Sequence, residues 1–404
     1  MIVLGIRLEK LPRNKWLMLL AACLIHISIG SVYAYSTLVL PIIAETGWSL
    51  FATTFIFSIA IFFLGTSASF GGKYVEKYGP TKTGLASAVL FAIGLFGSAL
   101  AISIHNLVLM YLFSGIICGC AYGIGYVTPI KCIVSWFNKT PGLAGGACVM
   151  SFGFASMIAG PLQQYLVSTY SLISNFLILG FAYLMIMLIA SLYLDYPDEM
   201  QTSEHGESKS LEVCQITKTW QFKALFISFF INIACGIALL SIVSPMAQEL
   251  MNFTATRAAA LVGIAGLANG CGRIMWSGLS DYIGRPNTIL TFMIIEFVSF
   301  LMLPIIGSEY LFELLIVMIV SSYGAYFAVM PASLIDLFTN KHLSTIHGKI
   351  LFAWGLAGLF SVPLIALIKT YIGTYTLAMY IFAALMFINL IIVYELKTKG
   401  FKSE

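Results

Sequence analysis

Residues 83–130 and 140–194 carry no aspartate, glutamate, lysine or arginine. Each stretch is long enough to cross a bilayer twice, at about 20 residues per helical crossing. In hydrocarbon every backbone N–H and C=O must be satisfied inside the structure, which leaves helices or a closed barrel. The apolar runs do not alternate with polar residues, so the pattern selects helices. Only 9% of the 404 residues are charged and 60% are hydrophobic, too few charges to cover so much apolar surface in water.

The hydropathy predicts twelve spans, at 16–40, 49–71, 82–103, 107–130, 141–166, 172–194, 220–244, 257–280, 287–307, 311–335, 345–369 and 374–394. The fused runs divide at His105-Asn106 and near Ser168–Ser171. Twelve crossings place both termini on one side. With that side cytoplasmic, 18 of the 21 basic residues lie there or at the helix ends facing it, and Arg257, Arg273 and Lys369 are the other three. This asymmetry orients the chain by the positive-inside rule, with both termini cytoplasmic in a cell (inner) membrane. Arg7, Lys10, Arg13 and Lys15 precede an apolar run too long for a signal-peptide core, so the first span reads as retained. The polar stretch 195–219 reads as a cytoplasmic linker. It divides a six-helix bundle, 1–194, from a second, 220–404, that ends in a short cytoplasmic tail.

An internal repeat supports that division. Gly72-Lys-Tyr-Val-Glu76-Lys-Tyr-Gly79 follows span two, and Ser277-Gly-Leu-Ser-Asp281-Tyr-Ile-Gly284-Arg285 follows span eight, with the same acid-and-glycine spacing. Gly153-Phe-Ala155…Pro161 in span five matches Gly355-Leu-Ala357…Pro363 in span eleven. Repeated spans run in the same direction, so the expected fold is all-α, with two six-helix parallel pseudo-repeats. On these motifs the sequence resembles the major facilitator superfamily over its whole length. Its first loop copy departs from the usual signature by lacking the arginine, reading Gly79-Pro-Thr-Lys82. Gly30-Ser-Val-Tyr33-Ala-Tyr35, the Gly/Tyr-rich fourth span, Ser135-Trp136-Phe137…Gly142-Leu143 and Asn269-Gly-Cys-Gly-Arg273 further resemble the oxalate/formate antiporter and monocarboxylate transporter branch.

Arg273 lies within a span, where an arginine costs roughly 2.5–3.5 kcal/mol on insertion scales and cannot shed its charge. Asn269, four residues earlier, shares its helical face. A guanidinium fork takes a carboxylate through two parallel hydrogen bonds, and an amide one turn away suits a neighbouring hydroxyl or oxo group. A structural role near the cytoplasmic end of the span, tied to Asp281 or Glu296, is the competing reading. The resemblance implies that this arginine binds substrate carboxylate. It also implies a central cavity lined by spans one, four, seven and ten. The candidate wall is Tyr33, Tyr35, Tyr122, Tyr126, Tyr323, Tyr326 and, from span eleven, Trp354. Tyr35 and Tyr126 are its leading members. Tyr33 and Tyr35, two apart on a helix, cannot both face one cavity equally.

The dicarboxylate exchangers that the sequence resembles carry a second basic residue in span eleven, where Trp354 stands here. One fixed charge favours a monoanion. Animal monocarboxylate transporters place an aspartate one turn before the span-eight arginine, and here that position is Asn269, which does not titrate. His26 and Glu296 are the remaining intramembrane candidates for proton coupling. Glu76 and Asp281, with Arg285 and the loop glycines Gly72, Gly79 and Gly284, form a candidate cytoplasmic gate. No nucleophile–histidine pair, metal spacing among the eight cysteines, phosphate-cradling loop or cofactor fingerprint is seen, so an enzyme, a cofactor, a metal and nucleic-acid binding are not expected.

The expected function is alternating-access transport of a small monocarboxylate of lactate, pyruvate or formate type, with or without a proton, by a monomer in the bilayer. An exchanger of oxalate or another dicarboxylate is the near alternative. A non-transporting sensor on the same scaffold is the distant one, since linker and tail are short for an output domain.

Overall fold

The structure, a computed structural model, describes residues 2–3, 6–7, 14–137, 141–197, 215–338 and 343–400, without the side chains of residues 2–3, 6–7, 76, 131, 141–143, 343 and 344. Among these residues twelve helices are long and apolar enough to cross a membrane. They are α1 (Lys15–Ala34), α2 (Leu50–Val75), α3 (Lys77–Ser103), α4 (Leu107–Trp136), α5 (Ala144–Thr169), α6 (Leu172–Tyr193), α7 (Trp220–Met251), α8 (Ala255–Ile283), α9 (Arg285–Ile305), α10 (Glu309–Phe338), α11 (Thr345–Ile372) and α12 (Thr376–Lys399). Every expected span is present, and most are a few residues longer than hydropathy alone suggests. Most of the 195–219 linker, the basic Lys10 and Arg13, and the side chain of Glu76 lie outside the described residues.

Short polar residues define where helices begin. The side chains of Asn14, Ser49, Asn106, Ser171, Thr219 and Thr254 each accept a backbone N–H from the first turn they precede. These caps satisfy donors that no intrahelical carbonyl can reach. The fused runs divide where the sequence suggests. His105 takes a left-handed conformation (φ 51°) before the Asn106 cap, and the Ser171 cap opens α6. The two loop signatures share one backbone device. Gly79 (φ 79°, ψ 163°) breaks the helix near the start of α3, and Gly284 (φ 84°, ψ 153°) breaks the chain between α8 and α9. A side chain is strained at such angles, which is why both copies keep glycine there.

Besides α3, three helices depart from regular α geometry, α9 only in its last turn, a 3₁₀ turn over Leu303–Ile305. The end of α1 tightens into a 3₁₀ turn over Ser31–Ala34 and then continues as a helix over Ser36–Thr46. α4 opens into a π turn over Tyr111–Ile117.

The two six-helix repeats meet along two seams, α5 against α8 and α2 against α11. The second pair of repeated motifs lies at their closest points. A Cβ on Gly153 would come within 2.9 Å of the Gly270 backbone, and one on Gly65 within 2.3 Å of the Gly355 backbone. Gly65 and Gly270 are repeat mates, as are Gly153 and Gly355, so one crossing is built twice. Without a hydrophobic drive between helices in lipid, such close backbone contact is what holds a seam together.

Gly153→Leu is therefore expected to force α5 and α8 apart, at a cost of about 1–3 kcal/mol. Gly146→Leu on the same helix, with nothing within 4 Å of its Cβ position, should not. Thermal unfolding of the purified variants in detergent checks this: the first should melt several degrees lower and the second with the parent.

Candidate functional site

Arg273 is 2% exposed, in the middle of α8. Its Nε donates to Asn269 Oδ1 at 3.1 Å, and Nη1 donates across the seam to the Val149 carbonyl of α5 at 3.1 Å. Its Cζ stands 4.9 Å from the ring centroid of Phe327 on α10, a cation–π contact. Neither acid weighed as a structural partner holds it. Glu296 on α9 accepts from Asn232 Nδ2 of α7 at 2.7 Å. Asp281 accepts from Arg285 at 2.5 Å.

A ring of aromatic side chains closes around the guanidinium. The hydroxyls of Tyr33 and Tyr323 share a 2.6 Å hydrogen bond between α1 and α10. Tyr126 packs edge-on against Trp354 and Phe152, with centroids 5.5 and 5.4 Å apart. Trp354 also meets Phe327 at 4.8 Å. Tyr33 and Tyr126 both lie close enough to interact with Arg273 directly. Among the described residues, three nitrogen donors of this ring make no well-formed hydrogen bond, Arg273 Nη2, Asn269 Nδ2 and Trp354 Nε1, with only the neutral hydroxyls of Tyr33, Tyr126 and Tyr323 near the first and third. A buried donor without a partner forfeits about 1–3 kcal/mol, and three together make a site short of acceptors. Gly324 of α10 makes room for the amide, since a Cβ there would lie 2.6 Å from Asn269 Oδ1.

Of the predicted wall, Tyr33, Tyr126, Tyr323 and Trp354 come together with Arg273 and Asn269. Three tyrosines do not. Tyr35 turns away and donates to the Thr53 carbonyl at 2.8 Å. It lines, with Tyr122, Gln163 and Asn175, a separate small cavity inside the first repeat whose lining omits Arg273. Two residues apart, the two side chains leave different sides of the helix, and Tyr33 takes the inward position. Tyr122 packs on Phe91 of α3 with centroids 5.1 Å apart. Tyr326 shares a 2.7 Å hydrogen bond with Ser228 of α7 and packs on Phe229 and Phe292. Phe152, Phe327, Gly324 and the Val149 carbonyl are site components that the sequence reading missed. Phenylalanine carries no chemical signature, and Val149 contributes only backbone.

His26 of α1 is fully buried beside this ring, stacked on Tyr126 with centroids 5.2 Å apart. Glu296 is also fully buried, but within the second repeat, against α7 rather than the site. Lys349, the nearest basic residue on α11, is exposed, so Arg273 is the charged group of the ring. At the loop signature, Arg285 bonds Ser280 and Asp281 at 2.5 Å each and approaches Asp336 of α10 at 3.6 Å. These contacts stay within the second repeat. The side chain of Glu76, the first repeat's acid in the candidate gate, lies outside the described residues.

The sequence profile of the Major Facilitator Superfamily matches residues 18–320 and 225–403. An uncharacterized MFS-type transporter, YhjX, of Escherichia coli (strain K12) is 27% identical over 352 residues, covering 86% of each chain. The oxalate:formate antiporter of Oxalobacter formigenes is 24% identical over 365 residues, 89% of this chain and 86% of that one. Monocarboxylate transporter 12 of Xenopus laevis is 25% identical over 338 residues, 76% of this chain and 72% of its own. The crystal structure of a D-xylose-proton symporter superposes with a TM-score of 0.75 at 14% identity, covering 96% of this chain and 99% of that one, a likeness of fold. The chain is a multi-pass integral membrane transporter and belongs to the Major Facilitator Superfamily.

Proposed function

We propose that the chain carries a small monocarboxylate of lactate, pyruvate or formate type by alternating access. Two six-helix bodies, 1–194 and 220–404, rock about the Arg273 site, and both termini face the cytoplasm of a cell (inner) membrane. The observation that carries the reading is the set of three donors without a well-formed hydrogen bond on Arg273, Asn269 and Trp354, gathered around one fixed positive charge. A carboxylate supplies the acceptors those donors lack, and its charge cancels the guanidinium. In so enclosed a space the Coulomb term is far stronger than in water. Bidentate geometry favours a planar carboxylate over a halide. The aromatic walls suit a methyl or short chain. A similarity to an oxalate:formate antiporter and to monocarboxylate transporters agrees with this substrate class.

The choice of monoanion over dianion rests on charge count. The second carboxylate of oxalate would meet Trp354 and Phe152 rather than a second cation, and an uncompensated charge there is costly. An exchange of oxalate for formate is the reading that fails on this count.

Uptake of labelled L-lactate and formate into proteoliposomes tests the proposal. Both should be taken up, with oxalate competing at least tenfold more weakly. Arg273→Lys keeps the charge but loses the fork, and should weaken apparent affinity by about 10–100-fold. Unchanged uptake by that variant places the substrate elsewhere, and binding without any flux identifies a sensor.

The two neighbouring tyrosines separate the site from its surroundings. Tyr33→Phe removes a hydroxyl next to Arg273, and an affinity loss of about three- to tenfold is expected. Tyr35→Phe removes a hydroxyl bonded to Thr53, and transport should stay within twofold of the parent. Lactate competition curves on both variants give the comparison.

A further inference from the structure

His26 is held between two carbonyl oxygens, an arrangement the imidazolium fits better than the neutral ring. Its Nδ1 lies 2.6 Å from the Cys148 carbonyl of α5 and its Nε2 lies 2.9 Å from the Tyr126 carbonyl of α4. Both partners are acceptors only. A neutral ring has one N–H, so one of the two contacts would set a lone pair against a carbonyl oxygen. The imidazolium, with two donors, satisfies both. The ring stacks on Tyr126 at an interplanar angle of 8° and meets Phe152 edge-on at 6.0 Å. Its surroundings contain cations and neutral groups. From α5 the Cys148 thiol stands 3.5 Å from Nδ1 and 3.9 Å from Nε2. From α4 comes the Tyr126 phenol, from α8 the Arg273 guanidinium, and from α1 itself Cys23, beside Cys148.

The guanidinium and the imidazole are consecutive along α5. Arg273 takes the Val149 carbonyl and His26 takes that of Cys148. Tyr126 lies against both. The neighbouring guanidinium repels a second positive charge at His26, while a carbonyl oxygen faces each ring nitrogen. A negative charge placed on Arg273 removes that repulsion.

We propose that His26 is the proton-binding site of this transporter, and that it loads together with the carboxylate at Arg273. The step is the addition of one proton from water to the free ring nitrogen, with no other bond made or broken. By linkage, the anion favours the imidazolium and the imidazolium favours the anion to the same extent. Geometry makes the linkage conditional. His26, Tyr126 and Cys148 belong to the first repeat, whereas Arg273, Asn269 and Trp354 belong to the second. The two charges are therefore neighbours only while the repeats are closed on each other. The carboxylate half of this proposal rests on the function proposed above.

Two measurements test it. The first reads the ring directly, by ¹⁵N NMR of histidine-labelled protein in nanodiscs at pH 7.5, with His26 assigned as the signal absent from His26→Gln. The doubly protonated fraction should rise severalfold on saturation with L-lactate. It should also rise about tenfold in Arg273→Gln without lactate, since one pH unit is the scale of a neighbouring charge. A ring that stays neutral in both overturns the proposal. The second uses proteoliposomes with an inside-alkaline gradient of one pH unit. The parent should accumulate lactate about tenfold. His26→Gln should fall to about onefold while keeping lactate counterflow, and Glu296→Gln, away from the site, should behave as the parent. Retained accumulation in His26→Gln overturns the proposal. A parent that moves no lactate refutes the substrate reading instead, and the Arg273→Gln spectrum still decides the proton site.

Discussion

A guanidinium in the middle of a membrane helix has to be compensated, and the second repeat is arranged around that need. Arg273 has five N–H donors, of which two are engaged, by the Asn269 amide and by a carbonyl from the opposite repeat. The Phe327 face adds a contact worth about 0.5–2 kcal/mol. None of these partners carries negative charge. The nearest buried acid, Glu296, faces a different helix and is bonded by Asn232. The insertion cost is thus left partly unrecovered by the protein itself, which is the room the proposed function gives to a substrate anion.

The repeats pack closely on each other around this site. Their seams are glycine crossings, Gly153 with Gly270 and Gly65 with Gly355, where backbones touch and side chains such as Phe154 and Ile61 lie over Gly270 and Gly358. Among the described residues, the polar contacts that span them include Arg273 to the Val149 carbonyl, Tyr33 to Tyr323, and Ser58 to the Gly358 carbonyl. The neutral ones are worth about 1 kcal/mol net and the charged one about 1.5–3, and on the proposed scheme a substrate that replaces one shifts the balance between closed and open. Ion pairs lie elsewhere. Arg257 with Glu309 and Glu313, and Lys369 with Glu249, join helices of one repeat and move with it as a body.

The spans were legible in the sequence because hydrocarbon leaves so few options for a backbone. Their breaks were legible because Asn106 and Ser171 are caps. The repeat motifs carried more than topology: Gly79 and Gly284 mark matching left-handed breaks, and Gly153 and Gly355 mark the seams. Which tyrosine faces Arg273 was not legible. Tyr33 and Tyr35 leave different sides of one helix, and nothing in Ser-Val-Tyr-Ala-Tyr sets which side the packing turns toward α8. Tyr122 and Tyr126 are one turn apart, about 6 Å along the axis and 40° around it. This is enough to put one in the first repeat's own core and the other at the centre. Phe152 and Phe327 were indistinguishable from the other phenylalanines until the fold placed them.

Distribution of the charged parts between the repeats has a consequence for coupling. A carrier that held its anion receptor and its proton receptor on one rigid body could load either without the other in any conformation. Here the guanidinium belongs to one body and the imidazole to the other, and they share α5 as neighbours on successive carbonyls. Separation of the repeats breaks the Arg273–Val149 contact but leaves His26 with both of its acceptors. The two charges then cease to influence each other, because solvent enters between them and screens what the closed site concentrates. Closure with the anion alone pairs it with Arg273, whereas closure with the proton alone sets two cations against each other in the ring of aromatics. Closure with both leaves a neutral pair of ion and counter-ion beside one remaining cation held by two carbonyls. The proton is therefore the dependent ligand: a closed site without the anion repels it and one with the anion tolerates it, and on the proposed scheme coupling follows from that order without any moving part beyond the rocking of the repeats.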